Sequence, residues 1–133
     1  MAKRVVLAIE HDWRLRRLLQ ANLEPFDLEV RLAVNGQHCL GLLRTGRPDL
    51  VLLDTDLPDM DVAHLLDCLR AQFTDQVPVI VLSAEPLSSS LGQNGRAIRY
   101  LRKPFATPDL LRQVLQMLDG MATGEEETAS RPL

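Results

Sequence analysis

At 133 residues, the chain is long enough for one domain with a single well-buried core. Its apolar fraction of 46% and charged fraction of 25% are those of an ordinary globular protein, and its net charge of −3 excludes a general attraction to nucleic acid. No apolar stretch is long enough for a membrane span or a signal peptide. Cys39 and Cys68 lie far apart and form no CxxC motif. We therefore expect a cytoplasmic protein with reduced cysteines.

Apolar runs of strand length alternate along the chain with segments of helical periodicity. The first run is followed by a helix that Asp12 can cap and Pro25 ends. Asn35-Gly36 predicts a turn before a second helix, and Thr107-Pro108-Asp109 predicts the start of the last one. Residues 86–96, with three serines and two glycines, have little periodicity, and we expect them to be mobile. The predicted strands cover residues 5–9, 28–32, 50–54, 77–82 and 98–102.

This alternation predicts an α/β domain with a five-stranded parallel sheet and helices on both faces. Right-handed crossovers limit the strand orders, and 2-1-3-4-5 is the common one for five strands. We expect the domain to occupy residues 1–119. Residues 120–133 contain three consecutive glutamates and no apolar pattern, and this segment is predicted to be a disordered acidic tail.

Polar residues follow the strands at the edge of the sheet where ligands bind in such folds. The organising strand, Leu50–Asp54, is wholly apolar until it ends in a carboxylate. The ends of the first, fourth and fifth strands supply Glu10-His11, Ser83 and Lys103. A lone strand-end aspartate is a weak signal, but a carboxylate pair, a hydroxyl and an ammonium group converging on one edge predict a functional site.

This set resembles the receiver domain of two-component response regulators over residues 4–118. The resemblance implies the flavodoxin-like receiver fold, which chemotaxis regulators share. It also implies a phosphoprotein of signal transduction that is not an enzyme, any autophosphatase activity being incidental. The stretches that carry it are Val6–Asp12, Pro48–Asp54 with Leu57-Pro58 and Met60-Asp61, Pro78–Ala84, and Tyr100–Phe105.

The resemblance implies that Asp54 accepts a phosphoryl group from a histidine kinase, a phosphotransfer protein or a small phosphodonor. Phosphoryl transfer needs mainly positioning and charge neutralisation, which suits a small site. A weakly bound Mg²⁺ or Mn²⁺ would be held by Glu10, Asp54 and the backbone carbonyl of Asp56. The part of His11 in this metal site is left open.

The same resemblance implies that Lys103 and Ser83 bind the phosphoryl group and that Tyr100 follows Ser83 in the switch. It also implies a cis peptide bond between Lys103 and Pro104. Each side chain has a structural alternative: Lys103 as a surface lysine, Ser83 as a turn residue and Tyr100 as part of the core. The arginines at 96, 99 and 102 form either a partner-binding patch or a solvated face.

The sequence departs from the family pattern at three places. His11 stands where the family usually has a second acid, and Mg²⁺ prefers oxygen ligands, so Mg²⁺ affinity should be low. Val62 stands where the family usually has glycine, and it would disturb the turn below Asp54 if the backbone there required positive φ. The segment 84–99 is shorter than usual.

We expect a receiver that is phosphorylated on Asp54. No effector follows the last predicted helix, so output is expected through a downstream protein partner or a homodimer, without contact with nucleic acid or membrane. The alternative is a degenerate receiver that acts as an interaction module without phosphorylation. A third alternative, a flavin- or nucleotide-binding protein, lacks the glycine-rich phosphate loop that it would need.

Overall fold

The structure is a computed structural model that describes residues 3–73, 77–85 and 98–123, of which 121–123 are described by their backbone alone. A short 3-10 helix, Glu24–Phe26, follows the first α-helix and contains Pro25. The elements within the described residues are β1 (Arg4–Ile9), α1 (Trp13–Leu23), β2 (Leu28–Ala33), α2 (Gly36–Leu43), β3 (Leu50–Asp54), α3 (Val62–Gln72), β4 (Val79–Ser83), β5 (Ile98–Arg102) and α4 (Thr107–Thr123).

The five strands form one parallel sheet in the order β2-β1-β3-β4-β5. This confirms the predicted fold class and strand order. Because the strands are parallel, their carboxyl ends meet at one edge of the sheet. In the register of the ladder, Asp54 on β3 pairs with Leu82 on β4, and Ser83 pairs with Arg102 on β5. The sheet therefore carries the strand-end residues to neighbouring positions.

Alternate residues of the central strands bury their side chains on opposite faces of the sheet. One face packs against α1 and α4, and the other packs against α2 and α3. All five residues of β3 are buried, as expected for a strand covered on both faces. Each fully buried leucine stabilises the fold by roughly 2 kcal/mol. The rigid sheet is what holds the strand-end side chains in place.

The helix ends follow from local side-chain chemistry. Asp12 caps α1, since its Oδ1 accepts a hydrogen bond from the Arg14 N–H at 2.9 Å. Asn35 caps α2 in the same way through the His38 N–H at 2.8 Å, so the predicted turn is the start of that helix. Helix α1 ends at Leu23, before Pro25. None of the helices within the described residues is long and apolar enough to cross a membrane.

Several predictions concern residues at or beyond the ends of the described segments. Helix α4 continues to Thr123, past the expected domain boundary at residue 119. The segment 86–96, expected to be mobile, and the remainder of the tail, 124–133, lie outside the described residues.

Val62 is the first residue of α3, and Asp27 is the one non-glycine residue of the described chain with positive φ. The turn below Asp54 therefore does not require glycine at position 62.

Candidate functional site

Asp54 is the central residue of the site. It is the last residue of β3 and is only 2% exposed. The Asp56 N–H donates a hydrogen bond to Asp54 Oδ1 at 3.1 Å, and the Thr55 N–H donates to the carbonyl of Leu82 at 3.1 Å. Thr55 thus extends the pairing of β3 with β4 by one residue, and the backbone then turns so that the Asp56 amide contacts the Asp54 carboxylate. A buried carboxylate requires a compensating charge, and a lysine supplies it.

Lys103 follows β5 and reaches across the end of β4 to Asp54. Its Nζ lies 3.0 Å from Asp54 Oδ1 and 3.5 Å from Glu10 Oε1. Its backbone N–H donates to the carbonyl of Ser83 at 2.8 Å, and the peptide bond to Pro104 is cis. Burial alone would lower the pKa of Lys103, but the hydrogen bond to Asp54 and the charges of both carboxylates outweigh burial and raise it. Lys103 is therefore a fixed cation of the site.

Glu10 is the second buried acid, 1% exposed, and it follows β1 directly. Its backbone N–H continues the sheet by donating to the carbonyl of Ala33 at 3.0 Å, and its Oε2 accepts from the Asp12 N–H at 3.1 Å. Burial, followed by its hydrogen bond and charge repulsion with Asp54, raises the pKa of Glu10 to about 7. Two acids and one lysine thus share a pocket in which a further positive charge would be stabilised.

The loop after β1 is held in place by an arginine of α1. Arg16, one turn into α1, donates from Nη1 to the carbonyls of Glu10 at 2.8 Å and His11 at 3.0 Å. The His11 side chain is exposed. Sequence reasoning missed Arg16, because nothing in the helical pattern distinguishes it from its neighbours Arg14 and Arg17.

The strand-end geometry has a counterpart among known proteins. The family model of the response regulator receiver domain matches residues 6–115. The chain belongs to this family. It is a receiver domain of a two-component response regulator, a class of phosphoacceptor signalling domains that are generally not enzymes and that interact with histidine kinases or phosphotransfer proteins.

Curated relatives support the assignment. The response regulator MprA of Mycolicibacterium vanbaalenii is 33% identical over 115 residues, or 85% of this chain and 49% of that protein. The transcriptional regulatory protein AfsQ1 of Streptomyces coelicolor is 37% identical over 101 residues, or 74% of this chain and 44% of that protein. The receiver chain thus spans about half the length of the curated relatives it matches.

Solved structures agree with the fold. The signal receiver domain of an HD domain-containing protein from Pseudomonas fluorescens has a TM-score of 0.81 and 26% identity, with 91% of this chain and 98% of that chain covered. The receiver domain of the sensor histidine kinase PA1611 from Pseudomonas aeruginosa has a TM-score of 0.76 and 27% identity, with 89% and 99% covered. That second structure holds a magnesium ion coordinated in its active site cleft.

Receiver domains typically bind Mg²⁺, and two carboxylates of this site are suitable ligands. Glu10 and Asp54 are both buried, and one oxygen of each carboxylate contacts Lys103 Nζ. Within the described residues, however, no three side chains of the His, Cys, Asp and Glu types are grouped to hold a metal. Two carboxylates alone would leave most of the coordination positions of such an ion to water.

Among the described residues, neither predicted switch residue forms a side-chain hydrogen bond with Glu10, Asp54 or Lys103. Ser83 is buried, but its hydroxyl donates to the Glu85 carbonyl at 2.8 Å and accepts from the Glu85 N–H at 3.1 Å. Tyr100 pairs with Val81 in the sheet and is 38% exposed, so the alternative of a core tyrosine is wrong. The partial burial of its ring raises the pKa of Tyr100.

Of the three arginines, Arg99 donates a hydrogen bond to Gln116 and Arg102 is exposed, while residue 96 lies outside the described chain.

Proposed function

We propose that this receiver accepts a phosphoryl group on Asp54 from a histidine kinase, a phosphotransfer protein or a small phosphodonor. The observation that carries the proposal is the buried Asp54 carboxylate with Lys103 Nζ at 3.0 Å. An oxygen of Asp54 would form a bond to phosphorus as the bond to the donor's leaving atom breaks. The leaving electron pair stays with the donor, and the product is an acyl phosphate.

The residues around Asp54 suit this reaction through their charges. An acyl phosphate brings close to two negative charges and strong acceptor oxygens into the pocket. Lys103 Nζ, already beside both carboxylates, would donate to a phosphoryl oxygen. Positioning and charge neutralisation supply most of the catalysis of phosphoryl transfer.

A divalent ion completes the proposed charge balance. Glu10, Asp54 and the Asp56 carbonyl would hold Mg²⁺ or Mn²⁺, which when bound offsets the negative charge on the transferring group. Binding should be weak, because His11 replaces a carboxylate that the family usually has and its side chain is exposed. Family membership supports the metal, and the histidine at position 11 in place of a carboxylate supports its low affinity.

The proposed switch begins at Ser83. Its hydroxyl proton is donated to the Glu85 carbonyl, so that hydrogen bond must break before the hydroxyl can donate to a phosphoryl oxygen, whereas the bond it accepts from the Glu85 N–H can remain. Tyr100, on the neighbouring strand, would then respond and change the surface that a downstream partner or a second copy of the chain contacts. The cytoplasmic location predicted from the sequence belongs to this proposal as well.

One observation favours a second function, that of an interaction module that is never phosphorylated. Lys103 already forms ion pairs with both buried acids, so part of their negative charge is offset without a metal ion. A receiver of this kind would keep its fold and signal through its surface alone.

Incubation with acetyl phosphate and Mg²⁺ separates the two functions. Phosphorylation predicts the addition of one phosphoryl mass to the intact wild-type protein and no addition to Asp54→Asn. Asp56→Asn is the matched control, because it changes an exposed neighbouring carboxylate and leaves the backbone carbonyl in place. Circular dichroism should show that all three proteins are folded. An unmodified wild type with Mg²⁺ and with Mn²⁺ would favour the interaction module.

A further inference from the structure

The loop that follows Asp54 is hydrogen-bonded to the N-terminus of helix α2. This β3–α3 loop, residues 55–61, places the carboxylate of Asp59 on the first turn of α2. Asp59 Oδ1 accepts from the Gly36 N–H at 2.8 Å, and Oδ2 accepts from the Gln37 N–H at 2.9 Å. Helix N-termini favour negative charge, and these two hydrogen bonds lower the pKa of Asp59.

The adjacent residue makes a second contact with the same turn. A Cβ atom built on Gly36 would overlap the side chain of Met60, so the loop packs directly against the α2 backbone at a point where glycine leaves room. Met60 itself is half-buried and packs against the core between the sheet and α2. We refer to Asp59 and Met60 on Gly36 as the loop latch.

Helix α2 has a separate cap of its own. The Asn35 side chain accepts from the His38 N–H, whereas Asp59 takes the amides of Gly36 and Gln37. Because Asp59 and Gln37 are exposed, water could replace the hydrogen bond between them at small cost to the helix. Water at the helix N-terminus would not hold the loop against α2, so the loop latch is needed to fix the position of the loop.

The loop is short and is held at both ends. The Asp56 N–H is bonded to Asp54 Oδ1 at one end, and Asp59 is bonded to α2 at the other. Only Leu57 and Pro58 lie between these anchors. Leu57 packs against the core, and proline fixes its own φ. A displacement at Asp59 is therefore transmitted to the backbone of Asp56.

We propose that Asp59 is a positioning residue, which through the loop latch holds the Asp56 carbonyl in the orientation that the phosphorylation site requires. This inference rests on the proposed function for its purpose, but the mechanical coupling between α2 and the loop can be tested apart from it.

The test compares Asp59→Ala with Asn35→Ala. Both variants remove a cap from the N-terminus of α2, but only the first releases the loop. Amide hydrogen exchange in the absence of metal should be about tenfold faster at Thr55 and Asp56 in Asp59→Ala and unchanged within about twofold in Asn35→Ala. Asp59→Asn keeps one acceptor oxygen, so it should rescue part of the protection.

A second variant disturbs the same latch from the helix side. Gly36→Ala should displace Met60 and speed exchange at Asp56 without changing the loop sequence. Mg²⁺ affinity, followed by Trp13 fluorescence, should fall by about tenfold in Asp59→Ala and change by less than about twofold in Asn35→Ala. Equal exchange at Thr55 and Asp56 in wild type and Asp59→Ala would overturn the inference and leave Asp59 as a helix cap. A latch confirmed by exchange in a protein that takes no phosphoryl group would instead overturn only the proposed function.

Discussion

The two flanks of the site differ in how many of the charged groups expected of the family they contain. On one flank, Lys103 crosses the end of β4 to form a partly buried ion pair with Asp54. On the other, β1 supplies one buried carboxylate, Glu10, followed by the exposed side chain of His11. The phosphoacceptor flank therefore has its charges in place, whereas the metal flank has one carboxylate where the family usually has two acids. If the proposed function holds, this receiver should keep its phosphoacceptor geometry and bind a divalent ion weakly.

Lys103→Met should give the largest effect, because it removes the cation from the intact flank. Two buried carboxylates would be left without a counter-charge, and we expect a loss of about 2 to 3 kcal/mol in unfolding free energy at pH 8. Phosphorylation by acetyl phosphate should slow by about 100-fold, since a donor to the transferring group is lost. Urea unfolding and intact-mass time courses measure the two effects.

Lys103→Arg is the control for this variant, because it keeps the positive charge and changes its shape. It should recover most of the stability and part of the rate. If Lys103→Met is as stable and as readily phosphorylated as the wild type, the ion pair has no role in either property.

Glu10→Gln tests the other flank through pH. The pKa of Glu10 is raised from 4.5 to about 7 in the folded state, so the folded protein binds a proton that the unfolded chain releases. The stabilisation from this group is complete below about pH 4.5 and is lost as pH rises toward 7. The whole shift corresponds to at most about 3 kcal/mol, and we expect about 2 kcal/mol in practice.

The measurement is urea unfolding from pH 5 to pH 8 in EDTA. Wild type should lose stability over that range through Glu10, and the slope should be smaller in Glu10→Gln. The variant should also bind Mg²⁺ more weakly, because a carboxylate ligand becomes a neutral amide. Parallel stability curves for the two proteins would mean that Glu10 titrates normally in the folded protein.

The parts of the molecule that follow from the spacing of apolar residues could be predicted from the sequence. The apolar runs predicted all five strands, and parallel pairing then fixed which end of each strand meets the others, so Glu10, Asp54 and Lys103 could be placed together. Contacts made by side chains in loops could not be predicted, because they depend on the three-dimensional approach of distant segments. Arg16 and Asp59 are examples, since both bind backbone groups that no local pattern indicates.

His11→Asp should have the smallest effect, and it restores the carboxylate that the metal flank lacks. We expect Mg²⁺ affinity to rise by about 3- to 10-fold, with little change in stability because the side chain is exposed. Trp13 fluorescence follows the titration, since Trp13 is two residues away and 56% exposed. Ala21→Asp, on the exposed face of α1, adds one negative charge away from the site and is the control for the change in charge alone. Equal Mg²⁺ affinity in wild type and His11→Asp would mean that position 11 does not face the ion.

The most direct test of the account is the rate at which wild type gains a phosphoryl group from acetyl phosphate as Mg²⁺ is raised from zero. The account predicts a single added phosphoryl mass, located on the peptide that contains Asp54, with a rate that rises with Mg²⁺ and saturates only at high concentration. His11→Asp should reach a similar maximum at lower Mg²⁺. A wild type that remains unmodified at every Mg²⁺ concentration, or one that is modified on another residue, would contradict the account.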